Sequence, residues 1–477
     1  MRTAVFTIAS RNYFSYVETL MESLEETNGE WERFVAVADD VAGLEEKNFN
    51  IIGLESLNLP DADKMKFRYT ILEFNTAIKP FVFQYLFQKC NYDRVLYFDP
   101  DIKVYEHLEE LEACFNEGSS IVLTPHFTGL WHDDKRPDEV SILLSGTYNL
   151  GFLGLARSEE TFELLDWWSD KLATKCFADV SKGIFVDQKW MDLVPGFFPN
   201  VSILRHEGYN VAYWNLSHRK AEKKNGKYYF NGQPLRFFHF SGVNPFDING
   251  VSKYQNRFTI DKIGVAKELF EDYAKTVLNK NYTHYRDISY AFSTFSNGKR
   301  ITDIYRHLYR ENVWLERLCG ENPFEKGDIF TCLDYSKEIN APQNVVVLEK
   351  RANKFVSYFN VLNKWIQLNN RGISIDTFFE ERGYKEIAIY GLGELGNRLY
   401  EQLKDSKQVA IKYGIDKQKE KGIEGLRLYR PGEALLPVDA VVVTSIFDFE
   451  NIKKTLALQI DCPIFSLEKV IGECGKH

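Results

Sequence analysis

Short apolar runs alternate with helical patterns through the first half of the chain, as expected of a largely parallel α/β sheet. Ala4–Ala9 reads as a buried strand, and Val17, Leu20, Met21 and Leu24 then recur at the spacing of an amphipathic helix. Phe34–Ala38 is the next strand and ends in Asp39-Asp40. A helix is expected over Lys79–Gln88, and Val95–Phe98 is a strand that runs straight into Asp99-Pro100-Asp101. Ile121–Thr124, Leu150–Leu155, Val201–Leu204 and Leu235–Phe240 are expected to complete the sheet, with helices over Glu159–Ala173 and Asp187–Leu193. Lys220–Lys227 reads as a solvated hairpin turning at Asn225-Gly226.

From about Val251 to Asp376 helical patterns replace the strand signals, and beyond that an α/β pattern restarts. Glu386–Tyr390 is a strand, the glycine-rich Gly391–Gly396 opens a helix through Leu403, Val409–Ile415 leads to Asp416, and Ala440–Thr444 is another buried strand. At about 150 residues per domain, 477 residues suggest roughly three domains. The pattern divides them as an α/β domain over 1–255, a helical connector over 256–376 and a small Rossmann-like α/β domain over 377–477.

Charge narrows the function. Lys+Arg number 59 against 68 Asp+Glu, a net −9, which excludes a broad nucleic-acid surface. Cys90, Cys114, Cys176, Cys319, Cys332, Cys462 and Cys474 are odd in number and form no C-x-x-C pair. That fits a reducing compartment, so a cytoplasmic location is expected. The apolar stretch between Arg2 and Arg11 is eight residues long and reads as a strand, not a signal peptide. No run of about 18 apolar residues offers a membrane span, which leaves peripheral membrane contact open. The sequence does not speak to oligomeric state.

Asp99-Pro100-Asp101 is the strongest chemical signal. Ligands of open α/β sheets bind beyond the carboxyl ends of strands, and the i, i+2 spacing on extended chain puts both carboxylates on one side. Two adjacent anions repel unless a cation lies between them, and a hard divalent ion shared with substrate phosphates meets that need. A turn that merely closes the strand explains the same three residues.

With its surroundings, this segment resembles the GT-A-fold glycosyltransferases of the retaining, family 8-like type, including a bacterial subgroup found with surface-polysaccharide enzymes. Tyr148-Asn149-Leu150-Gly151-Phe152 is similar to that family's F-N-x-G strand, Asp187-Gln188 to its D-Q pair, and His239-Phe240-Ser241-Gly242 to the start of its H-x-x-G-x-x-K-P-W motif. The resemblance covers about residues 1–255 and implies a GT-A-type nucleotide-sugar-binding domain with a mostly parallel central sheet. It implies Asp99, Asp101 and His239 as ligands of Mn²⁺ or Mg²⁺, and Asn149 lining the sugar pocket. Thr7, Ala9, Tyr13 and Asp39 fall where the nucleoside is held. Asp187 would bind the sugar hydroxyls and Gln188 lie near the anomeric carbon. The chain departs from the family after Gly242, where Pro245-Phe246 replaces Lys-Pro-Trp; either Lys253 or Lys79 would supply the charge at the leaving diphosphate. The implied activity is hexose transfer, with retention, from a UDP-linked or related donor to a surface glycan or glycoconjugate.

The C-terminal Gly391-x-Gly393-x-x-Gly396 follows a strand, opens a helix and has Asp416 twenty residues beyond Gly396, the pattern of a dinucleotide site. It is a candidate second nucleotide site, and a tight glycine turn in a structural module is the alternative. Three rivals to the glycosyltransferase reading follow: an NAD(P)-dependent oxidoreductase centred on this turn, a sugar nucleotidyltransferase, and a non-catalytic glycosyltransferase-like scaffold. Only about a hundred residues follow the connector, enough for half of a dinucleotide fold, and no glycine-rich basic phosphate loop follows the first strand.

Overall fold

The computed structural model describes residues 1–44, 47–333, 344–417, 423 and 425–474, of which 331–333, 344–356 and 447 are described by backbone alone. The thiol of Cys332 and the part of the expected connector at 334–343 therefore lie outside the described residues. The chain forms two compact units, Met1–Asp328 and Ile329–His477.

In the first unit, successive residues of β1 (Thr3–Ala9) face opposite sides of a seven-stranded sheet. Both sides are covered: Ala4, Phe6 and Ile8 enter one apolar cluster, Val5 and Ala9 the other. A strand buried on both faces reads as a continuous apolar run, which is why this one is legible in the sequence. The remaining strands are β2 (Glu32–Val37), β3 (Asn50–Ile52), β4 (Arg94–Phe98), β6 (Ile121–Pro125), β7 (Tyr148–Ala156) and β8 (Val201–Ile203), while β5 (Ile102–Val104) lies outside the sheet. Their order is β8-β6-β7-β4-β1-β2-β3, parallel except for β7, which runs against both β4 and β6. Helices α1 (Phe14–Thr27), α2 (Lys79–Gln88) and α3 (Glu159–Thr174) fall where the periodicity places them.

Two expectations are corrected here. The segment Leu235–Phe240 does not join the sheet: after the hairpin β9 (Ala221–Lys224) and β10 (Lys227–Phe230), β11 (Phe237–His239) pairs antiparallel with β5 in a sheet of two. The reason is that β4 is already paired on both sides, so its continuation beyond Asp99 must find a partner elsewhere. The hairpin itself turns at Asn225 and Gly226 with φ of 49° and 80°, as the sequence predicts. The second correction concerns Asp99-Pro100-Asp101, which is a turn and not extended chain: Ile102 N–H donates to the Asp99 carbonyl at 3.2 Å.

The helices expected to form one connector are divided between the units. Lys267–Asn279 belongs to the first because Leu269, Phe270, Tyr273 and Val277 share an apolar cluster with Phe238 and Phe240. Asp303–Glu311 is held there by Arg306, whose guanidinium donates to the carbonyls of Lys66, Phe67 and Tyr69 at 2.6–2.8 Å.

The second unit holds α4 (Asn344–Asn370) and a five-stranded, all-parallel sheet. Its strands are β12 (Glu386–Tyr390), β13 (Ala410–Ile415), β14 (Leu428–Tyr429), β15 (Ala440–Val443) and β16 (Ile464–Ser466), in the order β14-β13-β12-β15-β16, and α5 (Glu394–Leu403) follows β12.

Candidate metal centre and its surroundings

The antiparallel course of β7 brings its first residues alongside the end of β4, with Phe152 opposite Phe98. Asp99 N–H then donates to the Gly151 carbonyl at 2.7 Å, which fixes the Asp99–Asp101 turn against Asn149–Gly151. From the other direction β11 pairs with β5 and sets His239 opposite Ile102. Phe238 and Phe240, on either side of His239, anchor the strand; Phe240 stacks on Tyr273 with centroids 3.8 Å apart.

These constraints converge on three side chains. His239 Nε2 lies 3.0 Å from Asp101 Oδ1 and 3.7 Å from Asp99 Oδ2. One ligand atom from each residue falls within 4.8 Å of the others, near enough for one ion. The other ring nitrogen, Nδ1, sits 3.2 Å from Asn149 Oδ1. Because an amide oxygen only accepts, Nδ1 carries a proton there and the Nε2 lone pair is turned to the carboxylates in the neutral ring. Burial of His239 disfavours its charge, but Asp101 and Asp99 outweigh burial and raise its pKa. Tyr97 Oη donates to Asp99 Oδ1 at 2.5 Å. Two carboxylates and one imidazole suit a hard, oxygen-preferring ion, and three protein ligands leave an octahedral ion open to substrate oxygens. The residues fit Mn²⁺ or Mg²⁺.

Asn149 is the hub of a buried network that composition and spacing do not announce. Its Oδ1 also accepts from Asn210 Nδ2 at 3.0 Å and Gly151 N–H at 3.2 Å, and its Nδ2 faces His126 Nε2 at 3.2 Å. His126 is 5% exposed, and burial lowers its pKa to about 4. From the sequence His126 reads only as a loop histidine near a sheet end, within reach of an acceptor. The available signal was its place just past a parallel strand that ends beside β7. Trp214 packs edge-on against both His126 and His239, at 5.3 and 5.1 Å.

Asp187 precedes a 3₁₀ helix over Gln188–Leu193 but makes no side-chain capping bond. Its carboxylate is paired with Lys79 Nζ, and the two side chains are 2% and 1% exposed. Burial pushes the Asp187 carboxyl above its usual range, with Lys79 opposing. Lys79 also donates to the Leu150 carbonyl at 2.8 Å and lies 3.9 Å from the Tyr97 ring centre. Its contacts are thus with Asp187, the Tyr97 ring and the β7 backbone. The Gln188 amide is committed within the fold: Oε1 accepts from Leu150 N–H at 3.1 Å and from Asn149 Nδ2 at 3.4 Å, and Nε2 donates to the Ser145 carbonyl at 3.0 Å.

Of the residues expected around a nucleoside, Thr7 and Ala9 are buried at the end of β1, and no hydrogen-bond partner for Thr7 Oγ1 is found among the described residues. Asp39 accepts from Ala291 N–H at 2.9 Å and Arg11 N–H at 3.2 Å. Tyr13 is 43% exposed, and burial of its hydroxyl with Asp101 nearby raises its pKa to about 12. Lys253 is exposed on the loop after His239, where its N–H donates to the Gly242 carbonyl at 3.1 Å. Gly391, Gly393, Gly396 and Asp416 belong to the second unit.

Fold and site together define an α/β protein with a carboxylate–imidazole cluster at the carboxyl edge of a mostly parallel sheet. No protein-family model matches the chain. It is 24% identical over 286 residues to the uncharacterized protein YfnF of Bacillus subtilis (strain 168), covering 57% of this chain and 91% of that one. With the uncharacterized protein YfnD of the same organism it shares 25% identity over 246 residues, 50% of this chain and 76% of the other. Among solved structures it is similar to the galactosyltransferase LgtC in complex with donor and acceptor sugar analogs, at 16% identity and a TM-score of 0.34, over 57% of this chain and 95% of that one. It is also similar to the glycosyltransferase GlyE of Streptococcus pneumoniae TIGR4, at 16% identity and a TM-score of 0.34, over 62% and 67% of the two chains.

Proposed function

We propose that the first unit is a metal-dependent glycosyltransferase, moving a hexose from a nucleoside-diphosphate sugar, UDP-linked by preference, to a surface glycan or glycoconjugate. The observation that carries this reading is the convergence of Asp99, Asp101 and the Nε2 of an Asn149-oriented His239 at a strand end. A divalent ion held there would supply Lewis-acid stabilisation of the departing diphosphate. The protein's own part is to hold the donor in place. Asp187 would accept from the sugar hydroxyls, its position fixed by Lys79. Lys253, exposed on the loop after Gly242, would add fixed charge near the diphosphate in place of the missing Lys-Pro-Trp. With Lys79 committed to Asp187 and Leu150, it is the better of the two lysines for that task. Transfer is expected to proceed with retention.

Among the described residues no helix is long and apolar enough to cross a membrane. Any contact with a membrane-borne acceptor would then be peripheral for these residues, and a cytoplasmic site of action remains part of the proposal.

The test is release of the nucleotide from a panel of donors, nucleoside diphosphate from UDP-, GDP- and dTDP-sugars and CMP from CMP-sugars, with Mn²⁺ and with EDTA. Activity on one donor class is expected, lost in EDTA, restored by Mn²⁺ and abolished by Asp101→Ala. Undiminished transfer in EDTA would refute the metal role.

A further inference from the structure

The second unit contains a cavity of about 710 Å³ that takes no part in the proposed transfer. It lies beyond the carboxyl ends of two neighbouring strands, lined by Gly391, Gly393 and Leu395 after β12 and by Thr444 and Ser445 after β15. The chain passes from β12 to β13 on one side and returns to β15 on the other, so this is the point where the strand order reverses. Open parallel sheets bind ligands at such a point.

The three glycines of the turn are present for different reasons. Gly391 has φ +90°, and a Cβ on Gly396 would fall 2.0 Å from the Gly391 carbonyl oxygen, so folding alone requires both. Gly393 has φ −73°, which any residue adopts, and a Cβ there would meet no atom within 4 Å. Neither backbone nor packing calls for glycine at this position. What its missing side chain leaves open is the cavity wall at the amino end of α5, a helix of ten residues whose N-cap offers no side-chain bond to the first turn. The free N–H groups of a first helical turn favour an anion that can approach the backbone closely. Asp416 is brought to the same turn, its Oδ2 accepting from Leu392 N–H at 2.6 Å. On the opposite wall α4 presents Tyr358, Leu362 and Phe359, the last 50% exposed, as an apolar surface for a flat group. Glu394, the first residue of α5, lines the same cavity and is exposed, so its side chain has solvent to turn to when an anion occupies the turn.

We propose that this cavity binds a small molecule built on a nucleoside diphosphate. The diphosphate would sit at the amino end of α5 against Gly393, a ribose hydroxyl at Asp416, and the remainder against Tyr358 and Phe359. A dinucleotide and a nucleotide-sugar share this chemistry, so the test separates them.

The experiment uses the full chain carrying Asp99→Asn and Asp101→Asn, in EDTA, so that metal-dependent donor binding in the first unit does not contribute. Calorimetric titration with NAD, ADP-ribose, UDP-glucose and adenosine is the readout. Binding of at least one diphosphate compound is expected, with adenosine at least tenfold weaker than ADP-ribose if the adenine series binds. Preference for NAD or ADP-ribose would identify a dinucleotide-type ligand and preference for UDP-glucose a nucleotide-sugar; either supports the site. Adding Gly393→Val should weaken binding at least tenfold with only a small fall in melting temperature, because a Cβ there meets no atom within 4 Å and what folding loses is the N-cap preference for glycine over valine. No binding of any probe at millimolar concentration, or binding that Gly393→Val leaves unchanged, would overturn the proposal.

Discussion

At the scale of single residues, the site depends on which atom of each side chain is already committed. Asn149 decides the role of His239 by accepting from Nδ1, leaving Nε2 for the carboxylates. Hydrogen-bond partners of metal-binding histidines are typically worth about 10–100-fold in metal affinity. Asn149→Leu should therefore weaken Mn²⁺ binding by about that factor, read by titration of the purified protein. Lys79 and Asp187 illustrate the opposite risk. Each is buried and compensates the other, so removing one leaves an unpaired charge in the interior. Lys79→Met should cost about 3–5 kcal/mol of stability, measured by urea unfolding. The double variant Lys79→Met with Asp187→Leu should recover much of it, though not transfer.

At the scale of elements, the reversed direction of β7 does the placing. A parallel strand would bring its carboxyl end to this edge of the sheet; the antiparallel one delivers Tyr148–Gly151 instead, with the backbone of Gly151 against Asp99. Gly151 leaves room for the His239 ring: a Cβ would lie 2.4 Å from Cε1 and 2.7 Å from Nδ1. Gly151→Ala should displace the ring from Asp101 and abolish Mn²⁺-dependent transfer. Circular dichroism should show the sheet retained, since the strand's backbone pairing does not need the glycine. Wild-type Mn²⁺ affinity in this variant would show that the ring has room the structure does not give it.

At the scale of the whole molecule, all the residues proposed for donor, metal and transfer lie within Met1–Asp328. The helix Lys267–Asn279 is needed there because it packs against Phe238 and Phe240 on either side of His239. A fragment of residues 1–328 should fold and keep metal-dependent cleavage of the donor. A fragment ending at 255 should not, because the apolar cluster behind β11 would lose its cover. Circular dichroism and donor cleavage of both fragments, compared at equal total concentration, are the check.

What the sequence determined by itself was whatever local pattern controls. β1, α1, α2, β4, the Asn225-Gly226 hairpin and β12 followed by its glycine turn all lie where periodicity and turn residues predict. The short strands β3, β14 and β16 were not legible, although the equally short β8 was; strands of two or three residues form only where a neighbouring edge is available. Motif matching named Asp99, Asp101 and His239, and the structure brings those three together. It did not disclose that Asn149 and His126 form a network behind the histidine, or that Lys79 is the partner of Asp187. Nor did local pattern place the site strand outside the main sheet, or divide the helices after residue 255 between two units. Those outcomes depend on which strand edges are already occupied and which apolar faces still need cover. Both are settled between segments well separated in the chain, from about thirty residues for Phe240 and Tyr273 to 90 for Asn149 and His239, and no local window of the chain contains them.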